Sequence, residues 1–145
     1  MYDEILLPTD GSVGMAEVTD HAINLAEVHD ARIKGLYVVD TASLSDIPFE
    51  ASWEGVIGTM EREGRTALNE IERRAGDVPV GTEILEGSPA REIVNYAVEE
   101  GCDVILMGTH GRSGVDRLLL GSVAERVVRR SSVPVMTLRV GLPEQ

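Results

Sequence analysis

Short apolar segments alternate with stretches of helical periodicity along the whole of this chain, and that alternation limits the fold more than any other feature. Apolar runs between turn residues are typical of buried strands, and apolar residues at three- and four-residue steps are typical of amphipathic helices. The order predicts an α/β fold, a three-layer sandwich with helices on both faces of a doubly wound, mostly parallel sheet. The predicted strands are Glu4–Pro8, Lys34–Val39, Val80–Glu86, Asp103–Met107 and Pro134–Val140.

One helix is predicted between each pair of consecutive strands. Ser88 suits the cap of the third helix, Pro89 its first position and Gly101 its stop. The aperiodic stretch from Asp40 to Gly55, which contains Phe49 and Trp53, is predicted to be a long loop that acts as a lid, docks a partner or simply packs over the sheet edge. The predicted apolar positions are Met15, Val18, Ala22, Leu25 and His29 in the first helix, Met60, Ala67, Leu68, Ile71 and Ala75 in the second, and Ile93, Val94, Ala97 and Val98 in the third; the fourth helix is predicted at Val123–Arg130.

The length of 145 residues suits one domain with its own core, so residues 1–145 are expected to form a single domain. No apolar run approaches the ~18 residues of a membrane span, and the first residues lack the basic segment of a signal peptide. The single cysteine, Cys102, excludes an intramolecular disulfide and a cysteine-based metal cluster, and is expected to be a small buried apolar side chain. A cytoplasmic location is therefore expected.

The formal net charge of −12 comes from 25 acidic and 13 basic residues, of which only Lys34 is a lysine. So acidic a chain disfavours nucleic acid as a partner, because phosphate backbones are attracted to basic surfaces. An acidic, lysine-poor composition is typical of proteins from salt-loving organisms, where salt screens the self-repulsion. A halophilic archaeal source is therefore expected.

The charge is unevenly distributed. Residues 1–107 carry seven basic and 22 acidic side chains, whereas residues 108–139 carry six arginines against Asp116 and Glu125, a net charge of +4. This basic stretch suits an anionic ligand, although each arginine could equally be a solvated residue or the partner of an acidic face.

The basic stretch contains a glycine spacing, GTHGRSGVDRLLLGS, in which Gly108, Gly111 and Gly121 are followed by Ser122. A strand precedes it and a helix follows, which is the arrangement of a phosphate-binding loop. Ser122 and Glu125 also match a capping box, so Ser122 is expected either to cap the helix, to face a phosphate, or both. No lysine lies near these glycines, which indicates a loop that holds phosphates without cleaving them.

Ligands of such sheets bind beyond the carboxyl ends of the strands, where the strand order reverses. This rule brings together PTDGS after the first strand, VVD after the second and the glycine loop after the fourth. Asp10 could accept hydrogen bonds from a ribose or hold a metal on phosphates, or merely cap the first helix. Val38 and Val39 could line an adenine slot or belong to the core, and His110 is most simply an exposed loop side chain.

Three segments carry a resemblance to the universal stress protein family: ILLPTDGS (residues 5–12), YVVD (37–40) and the long stretch from EGSPARE to MTLR (86–139). The spacing G-x2-G-x9-G-S is that of the family's ATP-binding branch. The resemblance implies a Rossmann-like, adenine nucleotide alpha hydrolase-like domain with five parallel strands in the order 3-2-1-4-5. It also implies a homodimer formed largely through residues 134–140, and little hydrolysis.

The resemblance implies a ligand of ATP or another adenine nucleotide, accompanied by Mg²⁺ or Mn²⁺ with Asp10 near the metal. Its pattern implies that three groups of residues hold the nucleotide. Pro8, Thr9 and Asp10 border the adenine and ribose, Val39 lies against the base, and Met107, Gly108, Gly111, Arg112, Gly121, Ser122 and Val123 hold the ribose and phosphates.

The leading hypothesis is an ATP-binding regulatory protein of the stress response. One alternative is a dimeric interaction module that binds no nucleotide, because a sister branch uses the same fold in that way. Another is an enzyme, such as a slow ATPase or a nucleotidyl transferase, for which Asp10 or His110 would have to act as the base. No membrane partner is expected, and the protein partner stays unknown.

Overall fold

A computed structural model places five parallel strands in one sheet with the order β3-β2-β1-β4-β5, as predicted. It describes residues 2–42, 53–109 and 121–140. The strands are β1 Glu4–Pro8, β2 Arg32–Asp40, β3 Val80–Gly87, β4 Val104–Gly108 and β5 Val135–Leu138, and the helices are α1 Met15–His29, α2 Trp53–Ala75, α3 Pro89–Glu99 and α4 Ser122–Arg130. The α/β sandwich is thereby confirmed.

The boundaries differ from the predicted ones where strand pairing decides them. Strand β2 runs beyond its apolar segment at both ends, because it pairs with β3 in register from Ile33–Val80 to Asp40–Gly87. Strand β5 is shorter than the predicted Pro134–Val140, because it pairs with β4 only over Val135–Leu138. Trp53 begins α2 rather than lying in a loop, and Phe49 lies outside the described residues.

The sheet has a separate apolar core on each face, and alternation along the strands assigns residues to one or the other. In β1, Ile5 and Leu7 pack with α1 and α2, whereas Leu6 packs with α3 and α4. In β4, Leu106 and Met107 divide in the same way. The central strands are therefore buried on both sides, as parallel strands with two helical layers should be.

The helix ends follow the sequence signals in part. Gly101 has φ 66° just after α3, which confirms it as the helix stop. Ser88 occupies the N-cap of α3, but its side chain makes no capping hydrogen bond. Val98 is 57% exposed, so its predicted place in the apolar face of α3 is wrong, and Tyr96 is buried there instead.

Helix α2 approaches β2 closely at one glycine. A Cβ atom on Gly64 would stand 2.5 Å from Cδ1 of Tyr37, so only a residue without a side chain fits there. This contact fixes the position of α2 beside the sheet end, where Met60 of the same helix faces a cleft. Within the described residues, the helices are too short or too polar to cross a membrane.

Candidate functional site

A cleft of about 400 Å³ opens at the carboxyl ends of β1, β2 and β4, and residues of all four helices line it. Its size is within the range of small-molecule sites, and its place is where the topology predicts a ligand. The cleft is lined by Pro8, Thr9, Asp10, Met15, Leu36, Tyr37, Val38, Asp40, Met60, Pro89, Ile93, Met107, Gly108, Thr109, Gly121, Ser122, Val123 and Ala124.

The loop between β1 and α1 is held by short hydrogen bonds at the mouth of the cleft. The Thr9 N–H donates to the Leu36 carbonyl (2.8 Å) and extends the β1 ladder by one residue. The Gly11 N–H donates to Thr9 Oγ1 (3.1 Å), and Gly11 has φ 77°, which favours glycine there. The loop backbone therefore turns sharply beside the cleft.

Asp10 closes the same turn and does not cap α1. Its Oδ1 accepts a hydrogen bond from the Ser12 N–H (2.9 Å), whereas the N-cap of α1 is Gly14. The helix-cap alternative for Asp10 is therefore wrong, because the helix begins four residues later than that role requires. The carboxylate is instead fixed as part of the cleft lining.

The first turn of α4 forms the opposite wall. Its N-cap is Gly121, whose N–H donates to the Thr109 carbonyl, and the Thr109 N–H donates in turn to the Leu138 carbonyl (2.9 Å). No side chain caps the helix. The predicted capping box is therefore wrong, because Ser122 is the first helical residue and not the one before it.

The first turn of α4 therefore brings uncapped backbone and the exposed side chain of Ser122 to the cleft. Ser122, Val123 and Ala124 all line it, and the N–H groups of a first helical turn have no partner within their helix. These groups carry the partial positive charge of a helix N-terminus. The wall can therefore bind an anionic oxygen without a basic side chain.

Only one of the two valines of β2 lines the cleft. Val38 faces the side of α3 and α4 with Leu36, whereas Val39 is fully buried in the core beneath α1 and α2. Val39 is therefore not among the lining residues, because neighbouring strand residues point to opposite faces, and its contact with a base stays a prediction. Val38 lines the cleft instead.

Sequence analysis missed several lining residues. Asp40 ends β2 and adds a second carboxylate, with Asp10, to the lining of the cleft. The sequence places the VVD segment at the cleft but predicts no role for its aspartate. Met60 of α2 and Ile93 of α3 also line the cleft, because both helices pack against the sheet beside it. No local spacing signals such contacts.

Eight of the residues expected to bind the ligand meet in this cleft. They are Pro8, Thr9, Asp10, Met107, Gly108, Gly121, Ser122 and Val123. Gly111 and Arg112 lie outside the described residues, as does His110. The described part of the lining contains two carboxylates and no basic side chain.

The described residues of the cleft do not by themselves offer a set of side chains that would hold a metal ion. No group of three or more His, Cys, Asp or Glu side chains is arranged for a metal within the described ranges. Asp10 offers a hard oxygen of the kind that Mg²⁺ prefers, and Mg²⁺ commonly takes its other oxygens from substrate phosphates and water. The lining therefore fits a metal that arrives with phosphates.

The cysteine and the two histidines in the described part of the chain do not line the cleft. Cys102 is buried on the α3 and α4 face of the sheet, just before the amino end of β4, and burial raises the pKa of its thiol to about 11. It packs among apolar residues, as expected. His29 contacts the Tyr2 ring with centroids 4.8 Å apart, and His21 is exposed on α1.

Comparison with known proteins gives consistent matches along the chain. The model of the universal stress protein family matches residues 1–139. The universal stress protein MJ0531 of Methanocaldococcus jannaschii is 43% identical over 141 residues, which cover 96% of this chain and 83% of that protein. Both matches include the β1–α1 loop and the first turn of α4.

Solved structures agree with the fold. The structure of MJ0577 from Methanocaldococcus jannaschii superposes with a TM-score of 0.85 at 29% identity, covering 99% of both chains. A universal stress protein solved in complex with cAMP superposes with a TM-score of 0.67 at 25% identity, covering 95% of this chain and 97% of that one.

Proposed function

The chain belongs to the universal stress protein family, and from this premise we propose that its cleft binds ATP or another adenine nucleotide. The observation that carries the proposal is the wall formed by Gly121, Ser122 and Val123 at the cleft. The Ser122 and Val123 N–H groups have no acceptor within the helix, and the Ser122 hydroxyl makes no capping hydrogen bond. A related protein of the same fold has been solved with cAMP, an adenine nucleotide.

The cleft suggests a role for each part of the nucleotide. Apolar side chains of Val38, Met60 and Ile93 provide a slot for the base, and Asp10 provides acceptors for the ribose hydroxyls. The first turn of α4 and Gly108 would hold phosphate oxygens. Gly111 and Arg112 remain predicted phosphate-binding residues, and Mg²⁺ or Mn²⁺ would bridge the phosphates to Asp10.

Calorimetry with ATP and Mg²⁺ tests this proposal. We expect the native chain to bind, and Gly121→Val to abolish binding, because a branched side chain would fill the space that the phosphates need. Gly81→Val is the matched control: its nearest neighbour is Cδ of Lys34 at 3.5 Å on an edge strand, away from the cleft. Absence of heat with the native chain at millimolar ATP would refute nucleotide binding.

We further propose that the bound nucleotide regulates a partner and is hydrolysed little. The only lysine of the chain, Lys34, lies on β2 with its Nζ 3.6 Å from Glu100 Oε1, and does not line the cleft. The cleft therefore lacks the cation that a phosphate-cleaving loop of the lysine type uses. Phosphate release well above background, lost in Asp10→Ala, would instead establish a slow ATPase.

The assembly proposed is a cytoplasmic homodimer of single-domain chains that pairs through residues 134–140. In the described part of the chain, β5 has a neighbour only on its β4 side. Val135, Met136 and Leu138 remain partly exposed at this edge. If the protein instead dimerises but carries no nucleotide, and ATP leaves its melting temperature unchanged, the interaction-module alternative is correct.

A halophilic archaeal source is also proposed. It rests on the net charge of −12 with a single lysine, and on the 43% identity to an archaeal relative.

A further inference from the structure

The outer edge of the sheet at β3 has a cavity of about 580 Å³ between this strand and helix α2. We refer to it as the β3 edge groove. Its lining includes Glu61, Arg62 and Arg65 of α2 and Thr82, Glu83 and Ile84 of β3. The groove shares no lining residue with the nucleotide cleft, and it lies at the opposite edge of the sheet from β5, through which the proposed dimer pairs.

Backbone groups without a strand partner run along the groove. The Pro79 carbonyl accepts a hydrogen bond from the Ile33 N–H (2.9 Å), so it faces β2. In a parallel ladder every second residue faces the same neighbour, so the odd-numbered residues of β3 face β2. The N–H and carbonyl groups of Thr82 and Ile84 therefore face the open edge, beyond which the described part of the chain has no further strand.

Strand β3 is long and regular for an edge strand. It pairs with β2 in a continuous register from Ile33–Val80 to Asp40–Gly87, without a bulge. It also contains no proline and no lysine, two residues that commonly prevent an edge strand from pairing with another chain. An edge of this kind is suited to accept a further strand through main-chain hydrogen bonds.

Two arginines on the α2 side of the groove form no ion pair with the described residues. Residues 1–107 contain seven basic residues against 22 acidic ones, and four of the seven are in ion pairs: Lys34, Arg73, Arg74 and Arg91. Arg62 donates to Thr59 Oγ1 (3.1 Å), and Arg65 forms no ion pair although Glu61 stands four positions before it. Two exposed positive charges are therefore available beside the open edge.

The carboxylate of Glu83 does not neutralise these arginines. Ile84 packs against the core beneath α1 and α2, whereas Leu85 packs against the core beneath α3 and α4. Because neighbouring strand residues point to opposite faces, Glu83 shares the face of Leu85, away from α2. Among the described lining residues, this leaves Glu61 as the carboxylate on the side of the arginines.

We propose that the β3 edge groove binds an extended, acidic segment of a partner protein, which adds to the sheet as a further strand. The main chain of the segment pairs with the outward N–H and carbonyl groups of Thr82 and Ile84. Carboxylates at every second residue of the segment, about 6.6 Å apart on one face, contact Arg62 and Arg65. Charge complementarity selects this occupant, because a basic segment would place like charges beside both arginines. The groove uses no residue of the cleft, so its test is separate from that of nucleotide binding.

The test is NMR titration of the full chain with a capped eight-residue peptide, the length of β3, that alternates threonine and glutamate. Salt at about 0.15 M screens long-range electrostatic effects. We expect one saturable site per chain, with amide exchange slowed at Thr82 and Ile84 and unchanged at Gly81 and Glu83, whose N–H groups already face β2. The same peptide with its pairing amides N-methylated should not bind, because it keeps the charges and loses the backbone donors.

Charge variants test the side-chain contacts. Arg62→Gln and Arg65→Gln should each weaken binding about threefold, as expected for an exposed ion pair, and the double variant about tenfold. Glu61→Gln should strengthen binding about twofold, because its carboxylate competes for Arg65. Arg73→Gln is the matched control, since it removes an exposed arginine of the same helix that is paired with Glu70 and does not line the groove. It should bind the peptide like the native chain.

Three results would overturn the proposal. Equal losses in Arg73→Gln and Arg65→Gln would show a general effect of net charge. Tighter binding of a peptide that alternates threonine and lysine, or unchanged amide exchange at Thr82 and Ile84, would exclude an acidic strand. If these two amides became protected with rising chain concentration in the absence of peptide, the edge would bind a second copy of this chain instead. All the variants change exposed side chains, so none of these results depends on a substitution in the core.

Discussion

Ser122 occupies the first helical position of α4 with a hydroxyl that caps nothing. An N-cap serine replaced by alanine costs about 1 kcal/mol of stability. We therefore predict that Ser122→Ala changes the free energy of unfolding by less than about 0.5 kcal/mol, since the side chain is exposed, while ATP affinity falls severalfold. Urea unfolding and calorimetry on the same protein separate the two effects. A stability loss near 1 kcal/mol would restore the capping interpretation.

Cys102 gives a second prediction at this scale. Burial raises the pKa of its thiol to about 11 from an ordinary value of 9.0, so the reactive thiolate is scarcer in the folded chain at every pH below that range. We expect iodoacetamide at about pH 8 to label unfolded chain readily and folded chain hardly at all. Mass spectrometry measures the label. Rapid labelling of the folded chain would show that the thiol is accessible.

The sequence predicts residues of the site best where backbone chemistry marks them. Glycine spacing identifies Gly108 and Gly121, and a turn after a strand identifies Asp10. The sequence does not decide whether Val38 or Val39 lines the cleft. Strand alternation places the two residues on opposite faces, but it does not show which helices cover each face. Met60 carries no local signal, since its place in the cleft depends on how α2 packs.

At the scale of elements, the approach of α2 to β2 depends on Gly64. A Cβ on Gly64 would overlap the Tyr37 ring, whereas a Cβ on Gly58 would have only the flexible end of Arg62 at 3.6 Å. Alanine is favoured over glycine in helices by about 1 kcal/mol. Gly58→Ala should therefore stabilise the protein by up to about 1 kcal/mol, and Gly64→Ala should destabilise it by about 1–3 kcal/mol.

Urea unfolding of the two alanine variants measures the difference directly. Since Tyr37 also lines the cleft, Gly64→Ala should disturb ATP binding as well, whereas Gly58→Ala should not. Equal stability of the two variants would mean that α2 can move away from β2 without loss.

The order of the elements and the class of the sheet can be predicted from the sequence, because buried strands and amphipathic helices have different periods. The residues at which elements begin and end cannot be predicted in this way. Strand β2 continues to the polar residue Asp40 because β3 pairs with it, and α2 begins at Trp53, within a stretch that has no periodicity. Pairing partners and tertiary packing set these limits, and neither is visible in a local window.

At the scale of the whole molecule, the proposed dimer can be tested through one backbone group. The Pro134 and Leu138 carbonyls accept from β4 and the loop after it, so residues 135 and 137 present their N–H groups to the open edge. Thr137→Pro removes one outward donor and leaves the β4 ladder intact. We predict that the native chain sediments at twice 15.7 kDa and that Thr137→Pro sediments as a monomer.

Thr137→Val is the matched control, because it keeps the N–H and a branched side chain. It should remain a dimer. A dimeric Thr137→Pro protein with native circular dichroism would place the interface elsewhere.

The net charge of −12 predicts a strong response to salt. Raising KCl from about 0.1 M to about 1 M shortens the Debye length from about 10 Å to about 3 Å and screens the self-repulsion of the folded chain. The melting temperature should therefore rise with KCl at neutral pH. Near the pI of 4.6 the gain should largely disappear, because the net charge is then close to zero. If the melting temperature rose with KCl by the same amount at both pH values, the rise would not be due to the net charge.

The loop between β1 and α1 separates two cavities: Thr9 and Met15 line both the cleft and a second cavity, of about 480 Å³, between α1 and α2. A change in the conformation of this loop would therefore alter both cavities at once. If a molecule in the second cavity changed the affinity of the cleft for its ligand, that ligand would change the affinity of the second cavity by the same factor. One turn of backbone can thus couple the two cavities.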